Sequence, residues 1–189
     1  MAAWKTLEAS VILDCRPFLT VESHRVELPD GQVIPDWTWI RTPDFVSILA
    51  QTDSGQFLCF RQEKYGIDGL SLAVPGGFLE SGEEPLSGAR RELQEETGFE
   101  AREWIPLGSY RVDPNRGAGT AYFFLALGAC RTGDCLGGDL ERQELILLDS
   151  SGLETALSAG GFKALSWTAT VSLGLHHLDR IRRSADGRH

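Results

Sequence analysis

Cysteine is scarce. Cys15, Cys59, Cys130 and Cys135 are the four in 189 residues, too few for a disulfide scaffold, and two of them lie in runs that read as strands. Reduced thiols in a cytoplasmic protein are expected. Cys130 and Cys135 have no second cysteine pair and no histidine close by, so a zinc site there is not expected. Long apolar runs are missing too: nothing approaches the roughly 20 residues that span a bilayer, so no membrane partner is expected. Residues 1–10 hold one lysine and no apolar stretch before a small-residue cleavage site, which argues against a signal peptide. Positive charge is in deficit, with 18 Lys and Arg against 27 Asp and Glu and a net charge of −9. That balance excludes general binding to nucleic-acid backbones. A small anionic substrate is compatible with it only if bound cations reverse the local sign. There is no internal repeat and no low-complexity linker.

What remains is an ordinary globular composition, 42% hydrophobic and 24% charged, long enough for one domain with a small extension. Residues 1–16 are weakly patterned. Phe18 to Leu28 and Val33 to Ile40 alternate around the turn Pro29–Gln32 and predict a hairpin. Asp44–Thr52 and Gln56–Gln62 predict a second, more apolar hairpin nearer the core. A short strand at Leu72–Val74 is stopped by Pro75-Gly76-Gly77. Strands are also predicted at Trp104–Val112, Thr120–Ala129 and Glu144–Asp149. A short helix opens by a capping box of Ser151 and Glu154, and a last helix spans about Thr168–Arg182. The order predicts an α+β fold with helices packed on a mixed sheet.

Residues 77–99 concentrate the acidic charge: Glu80, Glu83, Glu84, Glu92, Glu95 and Glu96, with Glu100 just beyond. A helix is predicted from Pro85, whose missing N–H is harmless in a first turn, with a Ser81–Glu84 capping box as the alternative start. Gly98 supplies a left-handed cap. Residues three and four apart share a helix face, so Glu92, Glu95 and Glu96 converge while Ala89 and Leu93 fall elsewhere. Crowded carboxylates repel unless a cation sits among them, and hard oxygen donors suit Mg²⁺. The competing reading is a solvated charged face.

Gly77, five residues, Glu83, seven residues and then Arg91-Glu92-Leu93-Gln94-Glu95-Glu96-Thr97-Gly98-Phe99 resembles the Nudix box at every fixed position. The resemblance implies the Nudix α/β/α sandwich, with a mixed sheet and an N-terminal antiparallel β extension (residues 1–42 before a hydrolase domain at 43–189). It implies hydrolysis of a nucleoside diphosphate linked to another group X, with Mg²⁺ or Mn²⁺ as cofactor. Glu92, Glu95 and Glu96 are the implied ligands, with a backbone carbonyl of Gly76 or Gly77 beside them. Glu83 either ligates a second ion or pairs with Arg91. Arg91 either orients the box glutamates or touches phosphate.

Outside the box the chain most resembles the ADP-ribose pyrophosphatase branch. Phe60–Gly66, Pro114 and Lys163–Thr170 are similar to its motifs, whereas Ala73-Val74-Pro75-Gly76-Gly77 departs from its usual acidic-Leu-Pro-Ala-Gly. That branch implies a homodimer exchanging N-terminal strands and a small nucleotide-sugar substrate. Arg61 is a candidate phosphate clamp, with a surface ion pair as the alternative. Trp37 and Trp39 share a strand face and are candidates for stacking on adenine, with plain packing the competing role. Pro114 and Arg116 are further candidate substrate contacts. For a general base on a late loop Glu141 is chosen, with Asp139 behind it. Glu144 and the box carboxylates are alternatives. His24, His176 and His177 are expected to be solvated or capping.

Overall fold

The computed structural model describes residues 3–135 and 143–186. Two compact units are distinguished: Met1–Asp44 with Tyr110–Ala121, and Phe45–Ser109 with Tyr122–His189. The first unit also takes in the segment around Pro114, which the sequence reading placed with the hydrolase domain.

The first unit is built on a three-stranded antiparallel sheet in the order β1 (Lys5–Cys15), β2 (Leu19–Glu27), β3 (Val33–Arg41). β2 and β3 form the expected hairpin. β1 was not expected, and its burial explains why: all eleven residues are exposed, so neither face imposes the alternation that marks a half-buried strand.

The second unit holds most of a seven-stranded mixed sheet in the order β10-β5-β4-β9-β7, with β6 on β5 and β8 on β9; the end of β8 and the start of β9 belong to the first unit. The strands are β4 (Phe45–Thr52), β5 (Phe57–Gln62), β6 (Ser71–Ala73), β7 (Phe99–Glu100), β8 (Glu103–Arg111), β9 (Thr120–Arg131) and β10 (Gln143–Leu148). Three helices accompany them: α1 (Pro85–Thr97), α2 (Ser150–Ser158) and α3 (Leu165–Asp186).

β4 shows how the layers form. Val46, Ile48 and Ala50 pack with Ala89 and Leu93 of α1. Leu49, between them in sequence, joins Leu153 of α2 and Val171 and Leu178 of α3. Successive side chains point to opposite faces, so a strand covered on both sides reads as one continuous apolar run. α3 comes close enough that a β-carbon at Gly174 would lie 2.4 Å from Leu49 Cδ2. The result is the expected α/β/α sandwich with an antiparallel N-terminal sheet. Cys59 is buried in it, its thiol pushed up to about 12 by burial. No helix among the described residues is long and apolar enough to cross a membrane.

α1 starts at Pro85 behind Glu84, which makes no side-chain capping bond, and ends at Gly98 (φ 72°) with the Gly98 N–H donating to Gln94 O. The Ser81–Glu84 capping box is not formed. α2 is capped by Asp149, whose Oδ1 accepts from the Gly152 N–H, and not by Ser151.

Candidate active site

The site is assembled by one bend and one helix. β6 ends at Ala73 and the chain turns through Pro75-Gly76-Gly77, held to β4 by Ile48 N–H to Pro75 O and Val46 N–H to Gly77 O, each 2.9 Å. Gly76 has φ 151°, and a β-carbon there would sit 2.2 Å from Val46 O, so only glycine fits. The freed Gly76 N–H donates to Glu96 Oε2 at 2.9 Å. A β-carbon at Gly77 would lie 2.5–2.6 Å from the Glu92 carboxylate. Two adjacent glycines thus seat two box carboxylates against the backbone.

Arg91 gathers the others. Its Nε and Nη2 donate to the two oxygens of Glu83 at 2.9 Å each. Its Nη1 donates to Glu92 at 2.8 Å and Glu95 at 2.9 Å, and Nη2 also reaches Phe78 O at 3.1 Å. A guanidinium has five N–H donors, and here five hydrogen bonds all end on protein. Of the two roles open in the sequence, the geometry is that of an orienting group. Likewise Glu83 pairs with Arg91. Gly88 makes this possible: a β-carbon there would meet Leu79 Cδ2 at 2.4 Å and Glu83 Oε2 at 3.0 Å. Sequence reasoning missed Gly88, which falls in the variable part of the box.

The electrostatics follow from these contacts. Hydrogen bonds from Arg91, then from the Glu80 N–H, hold the Glu83 carboxyl at about 2. The Arg91 guanidinium is raised, first by Glu83. Burial pushes Glu92 up, against the opposing pull of Arg91. Three carboxylates share one guanidinium, with Glu96 close by on the Gly76 N–H, so negative charge is in excess, and the donor set is all oxygen. In its chemistry this set fits a hard divalent cation. Among the described residues no three His, Cys, Asp or Glu side chains are drawn together so as to hold an ion unaided, and Arg91 bonds Glu83, Glu92 and Glu95 together.

Residues 41–146 match the NUDIX domain family, more than half of the chain. The chain belongs to the Nudix family. Among curated proteins, this Nudix chain is 34% identical over 101 residues to an ADP-ribose pyrophosphatase of Bacillus subtilis (strain 168), covering 53% of the chain and 54% of that protein. The chain thus spans about half the length of that relative. It is 29% identical over 153 residues to a methanol dehydrogenase activator of Bacillus methanolicus, covering 81% and 80%. It is also 30% identical over 141 residues to a CMP-5'-(N-acetyl-N-hydroxy-3-aminopropyl)phosphonate hydrolase of Streptomyces rubellomurinus, covering 75% and 66%. A solved structure of an ADP compounds hydrolase shares the fold at a TM-score of 0.79 and 20% identity, covering 95% of this chain and 96% of that one.

The other predicted residues of the Nudix chain fall in separate places. Arg61 and Glu144 face each other in the β5–β10 register and form an exposed ion pair of 2.9 Å, the plainer of the two readings for Arg61. Glu141 and Asp139 lie outside the described residues. Within the first unit, Trp37 Nε1–H donates to Asn115 O at 2.9 Å, and Trp39 lies where a β-carbon at Gly117 would be 2.0 Å from its ring. Pro114 is exposed and Arg116 pairs with Asp113 at 3.6 Å, so Trp37, Trp39 and loop 113–117 come together. His24 differs from expectation. It is buried, 2.7 Å from Glu22 Oε2, and stacked on Trp39 at 5.3 Å. Glu22 is held below the usual carboxylate range first by Arg41, then by His24.

Proposed function

We propose that the protein hydrolyses the pyrophosphate bond of ADP-ribose or a related nucleoside diphosphate sugar, using a divalent cation, Mg²⁺ or Mn²⁺, and releasing AMP (or another nucleoside monophosphate) and a sugar phosphate. The observation behind this reading is the seating of Glu92 and Glu96 on the Gly76–Gly77 bend with Arg91 fully committed to their neighbours. A charged face with only a solvation role needs no such backbone cradle. The substrate class draws on the similarity to an ADP-ribose pyrophosphatase.

In this reading Glu92, Glu95 and Glu96 hold the cation, with the Gly76 or Gly77 carbonyl and Glu83 beside them. When bound, the ion neutralises the diphosphate and lowers the pKa of water at the reaction centre. The chain's own residues do the rest. Arg91 fixes the carboxylate rotamers, so ordering entropy is lost on folding and not at each turnover. The Gly76 N–H holds Glu96 in place. Glu141 is proposed as the base that takes the proton from attacking water, with Glu144, paired with Arg61, and the box carboxylates as the alternatives. Trp37, Trp39, Pro114 and Arg116 are the proposed nucleotide contacts, and Arg61 a phosphate contact if it leaves Glu144.

A second reading keeps the reaction class and changes X, as the relative acting on a CMP phosphonate conjugate suggests. A catalytically silent binding module is the reading from another class, and the complete carboxylate set speaks against it. The protein is further proposed to work in the cytoplasm and as a homodimer, the dimer because β1 is an edge strand exposing Leu7, Val11, Ile12 and Leu13. Light scattering on the purified chain reads its mass directly. A panel of ADP-ribose, other nucleoside diphosphate sugars, dinucleoside polyphosphates, NADH and nucleoside triphosphates with Mg²⁺ tests the substrate class. Turnover of triphosphates with none of ADP-ribose overturns it.

A further inference from the structure

The bend that seats the carboxylates also lines a cavity of about 270 Å³, bounded by Phe45, Val46 and Ser47 of β4, Lys64, Val74, Gly76, Gly77, Phe78, and Ser166 and Trp167 in the first turn of α3. Pockets that enclose a whole drug-sized ligand run from about 300 to 1,000 Å³. A cavity of this size takes one ring of a nucleoside diphosphate sugar and not the entire molecule. Because Gly76 and Gly77 touch Glu96 and Glu92 as well as the cavity, an arm leaving a diphosphate at the carboxylates enters it directly.

The chemistry of the wall says which arm. Phe45, Phe78, Trp167 and Val74 give apolar and aromatic surface, and the polar side chains are Lys64, Ser166 and Ser47, the last already hydrogen-bonded to Thr170. No Asp, Glu, Asn, Gln or His lines it. A nucleobase is read by carboxylate, amide or backbone groups that match both its donors and its acceptors, and this lining offers no carboxylate or amide side chain. A sugar phosphate presents acceptor oxygens on one side and a C–H face on the other. Lysine and serine donate to the first, and the electron-rich face of an aromatic ring receives the second.

The cavity is also pre-organised. The Thr170 hydroxyl lies 2.9 Å from Ser47 Oγ and 2.8 Å from Ser166 O, tying β4 to the first turn of α3. Phe78, a large apolar side chain of the lining, also stands unburied.

We propose that this cavity is the subsite for the sugar-phosphate arm X, and that Phe78, Ser166 and Trp167 are specificity-determining residues for it. The proposal rests on the diphosphate-hydrolase reading above, and its test separates the two. Phe78→Ala removes an exposed side chain and Ser166→Ala one hydroxyl, so both variants keep the core. Trp167 also packs on the core, so Trp167→Phe is used there. The measurements are KM and kcat with ADP-ribose, competitive inhibition by each product, and calorimetric binding of ribose 5-phosphate to the wild-type protein and each variant. Expected is a rise of about tenfold in KM, about 1.4 kcal/mol, with kcat nearly unchanged. Inhibition by ribose 5-phosphate weakens to the same extent, and inhibition by AMP stays as it was. Weakened AMP inhibition with intact ribose 5-phosphate inhibition assigns the cavity to the nucleotide arm and overturns the proposal. So does a wild-type protein that binds no ribose 5-phosphate by calorimetry. If ADP-ribose is not hydrolysed while ribose 5-phosphate still binds and the variants weaken it, the hydrolase reading falls and the subsite stands.

Discussion

Gly77 and Glu92 are in contact: a β-carbon at position 77 would lie 2.5 Å from Glu92 Oε2. Fifteen residues apart in sequence, they join the bend after β6 to α1, and the glycine is what lets a carboxylate rest on the backbone.

The first prediction follows from that contact. Gly77→Ala meets the far end of a flexible side chain, which swings aside, so the protein still folds. Glu92 is moved off its seat, and a displacement on the order of 1 Å in a catalytic group costs about 10²-fold in rate. Circular dichroism close to wild type with kcat reduced to that extent is the expected pair of results. Unchanged kcat would show that Glu92 need not sit on the bend.

Arg91 is the second case. Its five bonds go to Glu83, Glu92, Glu95 and Phe78 O, and the side chain is about one-quarter exposed. Arg91→Ala leaves three carboxylates with no shared cation and should lower stability by about 2 kcal/mol, between surface and fully buried pairs. Lysine lacks the fork and should not rescue it. Urea unfolding gives the stability, and kcat should fall with KM nearly constant if the residue orients ligands. A large rise in KM with kcat intact would indicate direct phosphate contact.

The acid side of the pH profile is a third. Glu83 is held at about 2 against an ordinary 4.5, and Glu22 is also lowered. The unfolded chain therefore takes up these protons first, so their stabilisation is full above about pH 4.5 and is lost as the pH falls toward 2. Glu92 has the opposite sign: its carboxyl is raised by burial, so its charge weighs against the fold at neutral pH. Urea midpoints from pH 7 to 3 should decline below 4.5, and Glu83→Gln should flatten that decline. Glu92→Gln should raise Tm at pH 7 in chelator while abolishing activity.

How much of this could be read beforehand depends on which residues carry the signal. The box did, because Glu92, Glu95 and Glu96 are spaced by the helix and Gly98 caps it, both local rules. β4 was legible through its unbroken apolar run. β1 was not, since a strand exposed on both faces leaves no periodic trace. His24 was misread for want of a partner, although Glu22 stands two residues away on the same strand face and Trp39 stacks on it only through cross-strand register. The pairing of Arg61 with Glu144 arises only from the β5–β10 register, which the sequence does not display. Gly88 carries no pattern at all, and its need arises from Leu79 and Glu83 folding over the helix.

A fourth prediction concerns the cation. Glu95→Gln and Glu96→Gln should each lower kcat by orders of magnitude with little change in Tm, and chelator should abolish wild-type turnover that Mg²⁺ or Mn²⁺ restores. Isothermal titration with Mn²⁺ reads the same site without turnover, and both variants should weaken it. Full activity in both would remove Glu95 and Glu96 from the metal site.

Incubating the protein with ADP-ribose and Mg²⁺ and resolving the products by chromatography shows which bond is broken. AMP and ribose 5-phosphate are expected in equal amounts, absent in chelator and nearly absent with Glu96→Gln. Intact ADP-ribose beside comparable turnover of a nucleoside triphosphate would contradict it.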